Sequence, residues 1–161
     1  MPVTQVFFAS RERAEAFSGA PETAVISITD PGSPPARLDP KFGPILRLSF
    51  YDAVPADEYL PAPMGLFDHG MARQVLDFVG QLHATEPVTA ILVHCEFGRS
   101  RSAAVALFVE AWTGARLSAR EFAFDANHWV IDRLTQLLPG LEIDIPIGNP
   151  VAERRRLPRC D

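Results

Sequence analysis

Cysteine is scarce. The 161 residues hold two, Cys95 and Cys160, too few for a disulfide framework or a Cys-rich zinc site. Lysine is scarcer still, with Lys41 alone against fourteen arginines. The net charge is −5 and the pI about 5.3, which argues against a broad nucleic-acid-binding face. The one basic cluster, Arg154 to Arg156, sits in a Pro-flanked stretch and reads as a solvated tail. No window approaches the run of ~18 apolar residues that a membrane span needs. No basic stretch followed by an apolar core opens the chain, so no signal peptide is expected, and a cytoplasmic setting is. His69, His83 and His128 have no metal-ligand spacing among them, so neither a metal nor another cofactor is expected.

What is present is the composition of a globular protein, 47% hydrophobic and 22% charged, at a length that suits one domain. Of 15 prolines, nine fall between Pro21 and Pro63. They mark loops at 30–44, where DPGSPP forbids helix or strand, and at 55–63. The domain is expected over 1–148, with a Pro- and Arg-containing tail over 149–161.

Hydrophobic patterning predicts strands at 3–9, 23–28, 45–50 and 88–93, and a short helix at 11–17 capped by Ser10. From 64 to 83 the apolar residues recur at steps of three and four, predicting an amphipathic helix with Asp68 on its solvated face. The segment 102–112 is apolar nearly all round, which suits a helix enclosed by other elements and stopped by Gly114. Ser118 and Glu121 read as a capping box opening another helix. A last helix is expected over 129–138, with Trp129 in the core. Alternating strands and helices predict a single α/β domain whose central, mainly parallel sheet is flanked by helices.

The chemistry concentrates in His94-Cys95-Glu96-Phe97-Gly98-Arg99-Ser100-Arg101-Ser102, between a β-branched central strand and the buried helix. In a parallel sheet this junction lies at the carboxyl edge, where α/β proteins bind ligands. Loop N–H groups and the first turn of the helix can form an anion cradle, and Gly98 permits the positive φ such a turn needs. Arg101 can grip two phosphate oxygens through its planar fork. A cysteine on the floor of that cradle sits in the same positive field, and the Ser102 hydroxyl is placed to hydrogen-bond the sulfur. That is a layout for nucleophilic attack on phosphorus. Cys-x5-Arg by itself is a weak pattern in an arginine-rich chain; the whole string with its flanking strand and helix is strong.

VHCEFGRSRSAAVA resembles the signature loop of the cysteine-dependent protein tyrosine phosphatases, in the small dual-specificity-like branch that includes many bacterial proteins. AVISITDPG, ILRLSFYDAV and the amphipathic helix before the signature fall in that branch's usual order. The resemblance implies a metal-free phosphomonoester hydrolase with a cysteinyl-phosphate intermediate, acting on a phosphorylated protein or a small aryl phosphate. It implies Cys95 as nucleophile, Arg101 as phosphate clamp and Ser102 assisting breakdown of the intermediate. His94 would hold the loop, and the backbone from Glu96 through Phe97, Gly98, Arg99 and Ser100 to Arg101 would bind the phosphoryl oxygens. Phe97 and Arg99 depart from the small and apolar residues usual at those positions, which puts the pocket rim in question. Glu96 adds a negative charge beside the mouth, making inositol polyphosphates poorer candidates.

The leaving group needs a proton, so an aspartic acid should overhang the cradle. Asp52 follows a strand at the same carboxyl edge and is preferred, with Asp57 as its rival. Asn127, in DANHWV, reads as an N-cap with a hydrolytic-water role as the alternative. Two other functions fit the loop less well: a rhodanese-like sulfurtransferase, and a non-catalytic phosphate-binding module on a phosphatase fold. For Cys160 a resolving-cysteine role has little behind it.

Overall fold

A computed structural model describes residues 2–54, 64–85 and 87–148. Five strands, β1 (Gln5–Ser10), β2 (Thr23–Thr29), β3 (Ile45–Ser49), β4 (Ala90–Cys95) and β5 (Arg116–Leu117), form one sheet in the order β3-β2-β4-β1-β5. Every pairing is parallel, so the expected mainly parallel sheet is wholly so. The helices are α1 (Arg11–Ala16), α2 (His69–Ala84), α3 (Arg101–Thr113) and α4 (His128–Gln136), with a 3-10 helix at Arg120–Asp125.

Both faces of the sheet are covered, which is why its strands carry near-continuous apolar runs. Ala24, Ile26, Ile28, Ile91 and Val93 pack into the main core with α2, α3 and α4; Val25 and Leu92, one residue out of step, join Ala14 of α1 in a smaller cluster on the other face. α3 supplies the centre of the main core. Its residues 101 to 109 are all buried, Leu107 and Phe108 completely. Full burial of such a side chain contributes about 1.5–3 kcal/mol. Gly114 ends the helix at φ 77°, its N–H bonded to the Glu110 carbonyl. β2 and its parallel neighbour β3 are joined without a helix, through the proline-rich stretch that the sequence marks as loop.

Several local expectations are corrected. α2 begins at His69 rather than 64, and Asp68 is its N-cap, accepting from the Met71 N–H at 2.8 Å. Leu66 and Phe67 continue the apolar pattern upstream, but they are buried from a turn, not from a helix face. Ser118 opens no helix. Residues 116–117 pair with β1, the Ser118 N–H bonds to the Val6 carbonyl, and Ala119 takes a left-handed φ of 55° before the 3-10 helix, which has no side-chain cap. Trp129 is only partly buried; its indole N–H donates to the Phe67 carbonyl at 2.7 Å, and Arg133 lies 3.8 Å over its ring. The last helix begins one residue earlier than expected and ends two earlier, at Gln136. Asp57, Cys160 and the tail over 149–161 lie outside the described residues.

Among the described residues no helix is long and apolar enough to cross a membrane, and no cluster of three or more candidate metal ligands occurs.

Candidate active site

β4 does not stop before the signature string. It runs through His94 to Cys95, its last residue, so the loop proper is 96–100, and Arg101 and Ser102 open the first turn of α3. Cys95 therefore sits at the carboxyl edge with its backbone fixed in the sheet, opposite Ser10 of β1. It is 2% exposed, and its Sγ lies 3.1 Å from Ser102 Oγ. A strand end and a helix first turn thus hold sulfur and hydroxyl together, two elements that the buried face of α3 locks in place.

Gly98 makes the turn, with φ 69°. Glycine is required there twice over. A Cβ would stand 2.3 Å from the Ser10 backbone N and 2.4 Å from the Ala9 carbonyl carbon, so the loop lies directly against the end of β1.

Arg101 is 3% exposed. Its Nη1 donates to Asp30 Oδ1 and to the Phe50 carbonyl, both at 2.7 Å, while its buried Nε has no partner among the described residues. A buried donor without an acceptor is costly. Here it belongs to a cation held by its other edge, an arrangement suited to receiving an anion. Asp30, the anchor of that edge, stands directly after β2, in a stretch that the sequence marks only as loop. Its position at the carboxyl end of a strand was the available signal.

Asp52, three residues beyond β3, reaches the same place. Its Oδ1 accepts from Ser100 Oγ at 2.7 Å and from Asn127 Nδ2 at 2.8 Å. Asn127 is the expected N-cap of α4, its Oδ1 accepting from the Val130 N–H at 3.1 Å, and its own N–H donates to the Ser100 carbonyl. Ser100 holds the N-cap position of α3 but caps nothing with its side chain, which is committed to Asp52 instead. Asp52, Cys95, Phe97, Arg99, Ser100, Arg101 and Asp125 line one open cavity of 380 Å³.

Around this centre the loop is braced. His94 is fully buried with Nε2 2.6 Å from Ser27 Oγ on the neighbouring strand. Burial pushes its imidazole down to about 4, an effect that the Cys95 backbone partly offsets, so it is neutral at physiological pH. Glu96 has a cation beside it. Arg11 Nη1 lies 4.0 Å from its carboxylate, and the Arg11 N–H donates to its carbonyl. Phe97 is 76% exposed, and Arg99 is half-exposed with Asp125 4.0 Å away.

No family model matches the chain, and comparison with curated proteins finds no match. Among solved structures the chain is similar to human DUSP28 at 19% identity and a TM-score of 0.43, over 90% of this chain and 83% of that one. It is similar to Tk-PTP in the active form at 13% identity and a TM-score of 0.42, over 95% and 93%.

Proposed function

We propose that the protein is a cysteine-dependent phosphomonoester hydrolase, a protein tyrosine phosphatase acting on phosphotyrosine and aryl phosphates in a reducing, cytoplasmic setting. One observation carries the reading: Cys95, Arg101 and Asp52, separated by up to 49 positions in sequence, line a single cavity, and Arg101 presents an unpartnered buried N–H. A tyrosine phosphate enters with its phosphoryl group on the loop. Arg101 and the backbone over Glu96 to Arg101 hold the equatorial oxygens and the charge that develops on them. Cys95 Sγ, as thiolate, attacks phosphorus in line while the bond to the phenolic oxygen breaks, and Asp52 gives that oxygen its proton. Water then attacks the cysteinyl phosphate, losing a proton to Asp52 and releasing inorganic phosphate and the thiolate. The Ser102 hydroxyl, 3.1 Å from the sulfur, donates to the departing thiolate in that second step. No metal takes part in this scheme.

The test is hydrolysis of p-nitrophenyl phosphate in the presence of a chelator. Wild type should turn over, Cys95→Ser should not, and Asp52→Ala should lose about a hundredfold in kcat or more. Turnover that survives Cys95→Ser would refute the mechanism. Binding of phosphate without turnover would make the protein a phosphate-binding module.

A further inference from the structure

Beside the Cys95 cavity lies a larger one of 480 Å³ that the proposed chemistry does not use. The two share a wall, because Phe97 and Arg99 line both. Arg13 of α1 and Phe122 of the 3-10 helix also line it. The charged residues lining it, Arg13 and Arg99, are both cationic, and among the described residues no carboxylate lines it, although the chain as a whole carries −5.

Neither cation is committed strongly elsewhere. Arg99 faces Asp125 at 4.0 Å with both side chains half-exposed, a kind of pair that contributes little and exchanges readily for a better acceptor. Arg13 lies 5.9 Å from the Phe17 ring centroid, a cation–π contact that does not consume the N–H donors. Phe97, 76% exposed between the two cavities, is the kind of aromatic that packs against a bound chain rather than a protein core.

We propose that this second cavity is a subsite for an anionic group, a carboxylate or a second phosphoryl group, carried by the same peptide whose phosphotyrosine occupies the Cys95 cavity. The inference rests on the phosphatase reading above. Arg13 and Arg99 take the anion, and Phe97 and Phe122 take the apolar stem of the residue that bears it. The protein thereby selects acidic phosphotyrosine peptides over neutral ones.

The test compares kcat/KM for phosphotyrosine peptides that carry Glu, phosphoserine or Gln at each flanking position in turn, using the wild type, Arg13→Gln and Arg13→Lys. In the wild type, one or two flanking positions should favour Glu over Gln by about fivefold, and phosphoserine by more. Arg13→Gln should abolish that preference and Arg13→Lys retain most of it, with p-nitrophenyl phosphate turnover equal in all three. Glu and phosphoserine arms that behave alike identify a general anion subsite; a response to phosphoserine alone identifies a site for doubly phosphorylated peptides. In the wild type the preference should also fade as ionic strength rises, a readout that needs no variant. Normal turnover with no preference for acidic peptides, or a preference untouched by both Arg13→Gln and salt, overturns the subsite alone. No turnover of any substrate overturns the phosphatase reading, and the subsite falls with it.

Discussion

Asn127 places its Nδ2 2.8 Å from Asp52 Oδ1, across 75 residues of chain. The other end of the same amide accepts the Val130 N–H of α4, which fixes which atom is nitrogen. The side chain therefore joins the start of α4 to the proposed acid. Ser100 donates to the same Oδ1, so two donors hold one oxygen and define how the carboxyl group is turned.

Asn127→Ser should retain the helix cap and lose the donor to Asp52. Melting temperature should stay close to that of wild type, while hydrolysis of a poor leaving group such as phenyl phosphate falls about tenfold and that of activated aryl phosphates falls little. A Brønsted series over leaving groups checks this. Equal losses across the series would mean that Asn127 does not act through the acid.

Asp30 holds Nη1 of Arg101 and leaves Nε unpartnered. It orients the guanidinium instead of competing with an anion for it. Asp30→Ala should weaken competitive inhibition by inorganic phosphate about tenfold. Asp30→Asn, which keeps an acceptor, should recover most of that loss. Tighter phosphate binding in Asp30→Ala would show that the carboxylate's charge outweighs its positioning.

Gly98→Ala combines a left-handed backbone with a Cβ placed inside the end of β1. The loop must move off β1 to accommodate it. A displacement near 1 Å at a reacting centre lowers turnover on the order of a hundredfold, and the backbone strain adds about 1–2 kcal/mol of destabilisation. Steady-state kinetics together with urea unfolding separate the two effects.

The neutral, buried His94 makes stability depend on pH with a definite sign. Its imidazole titrates near 6.5 when unfolded and at about 4 in the fold, so between these values the unfolded chain binds a proton that the native one does not. The native state therefore keeps the full contribution above pH 6.5 and loses it as pH falls, by about 2 kcal/mol at pH 5 and about 3 kcal/mol below pH 4. Unfolding free energies measured from pH 7 to 5 should show this slope in wild type and a flatter one in His94→Gln. Parallel slopes would remove His94 as the cause.

Much of the architecture was legible in the sequence because the relevant signals are local. Apolar runs announced the strands of a doubly covered sheet, and the all-apolar stretch after Arg101 announced the central helix. The spacing of Cys95, Gly98, Arg101 and Ser102 could be read because strand end, turn and first helical turn follow one another within eight residues. Local signals failed where tertiary contacts overrode them. Ser118 and Glu121 had the spacing of a capping box, but pairing of residues 116–117 with β1 took that segment into the sheet edge. The periodicity before His69 could not tell residues buried by a helix from residues buried by a turn.

The sequence by itself determined a cysteine loop between a buried strand and a buried helix, because backbone geometry and side-chain type act there over a few residues. Only the tertiary structure decided what stands around that loop. Asp30, Asp52 and Asn127 meet it because β2 and β3 end, and α4 begins, at the same sheet edge, and Arg13 approaches it because β1 is paired with β4. No spacing rule connects those positions. The order of strands in the sheet does, and that order is set by which apolar faces can be buried together.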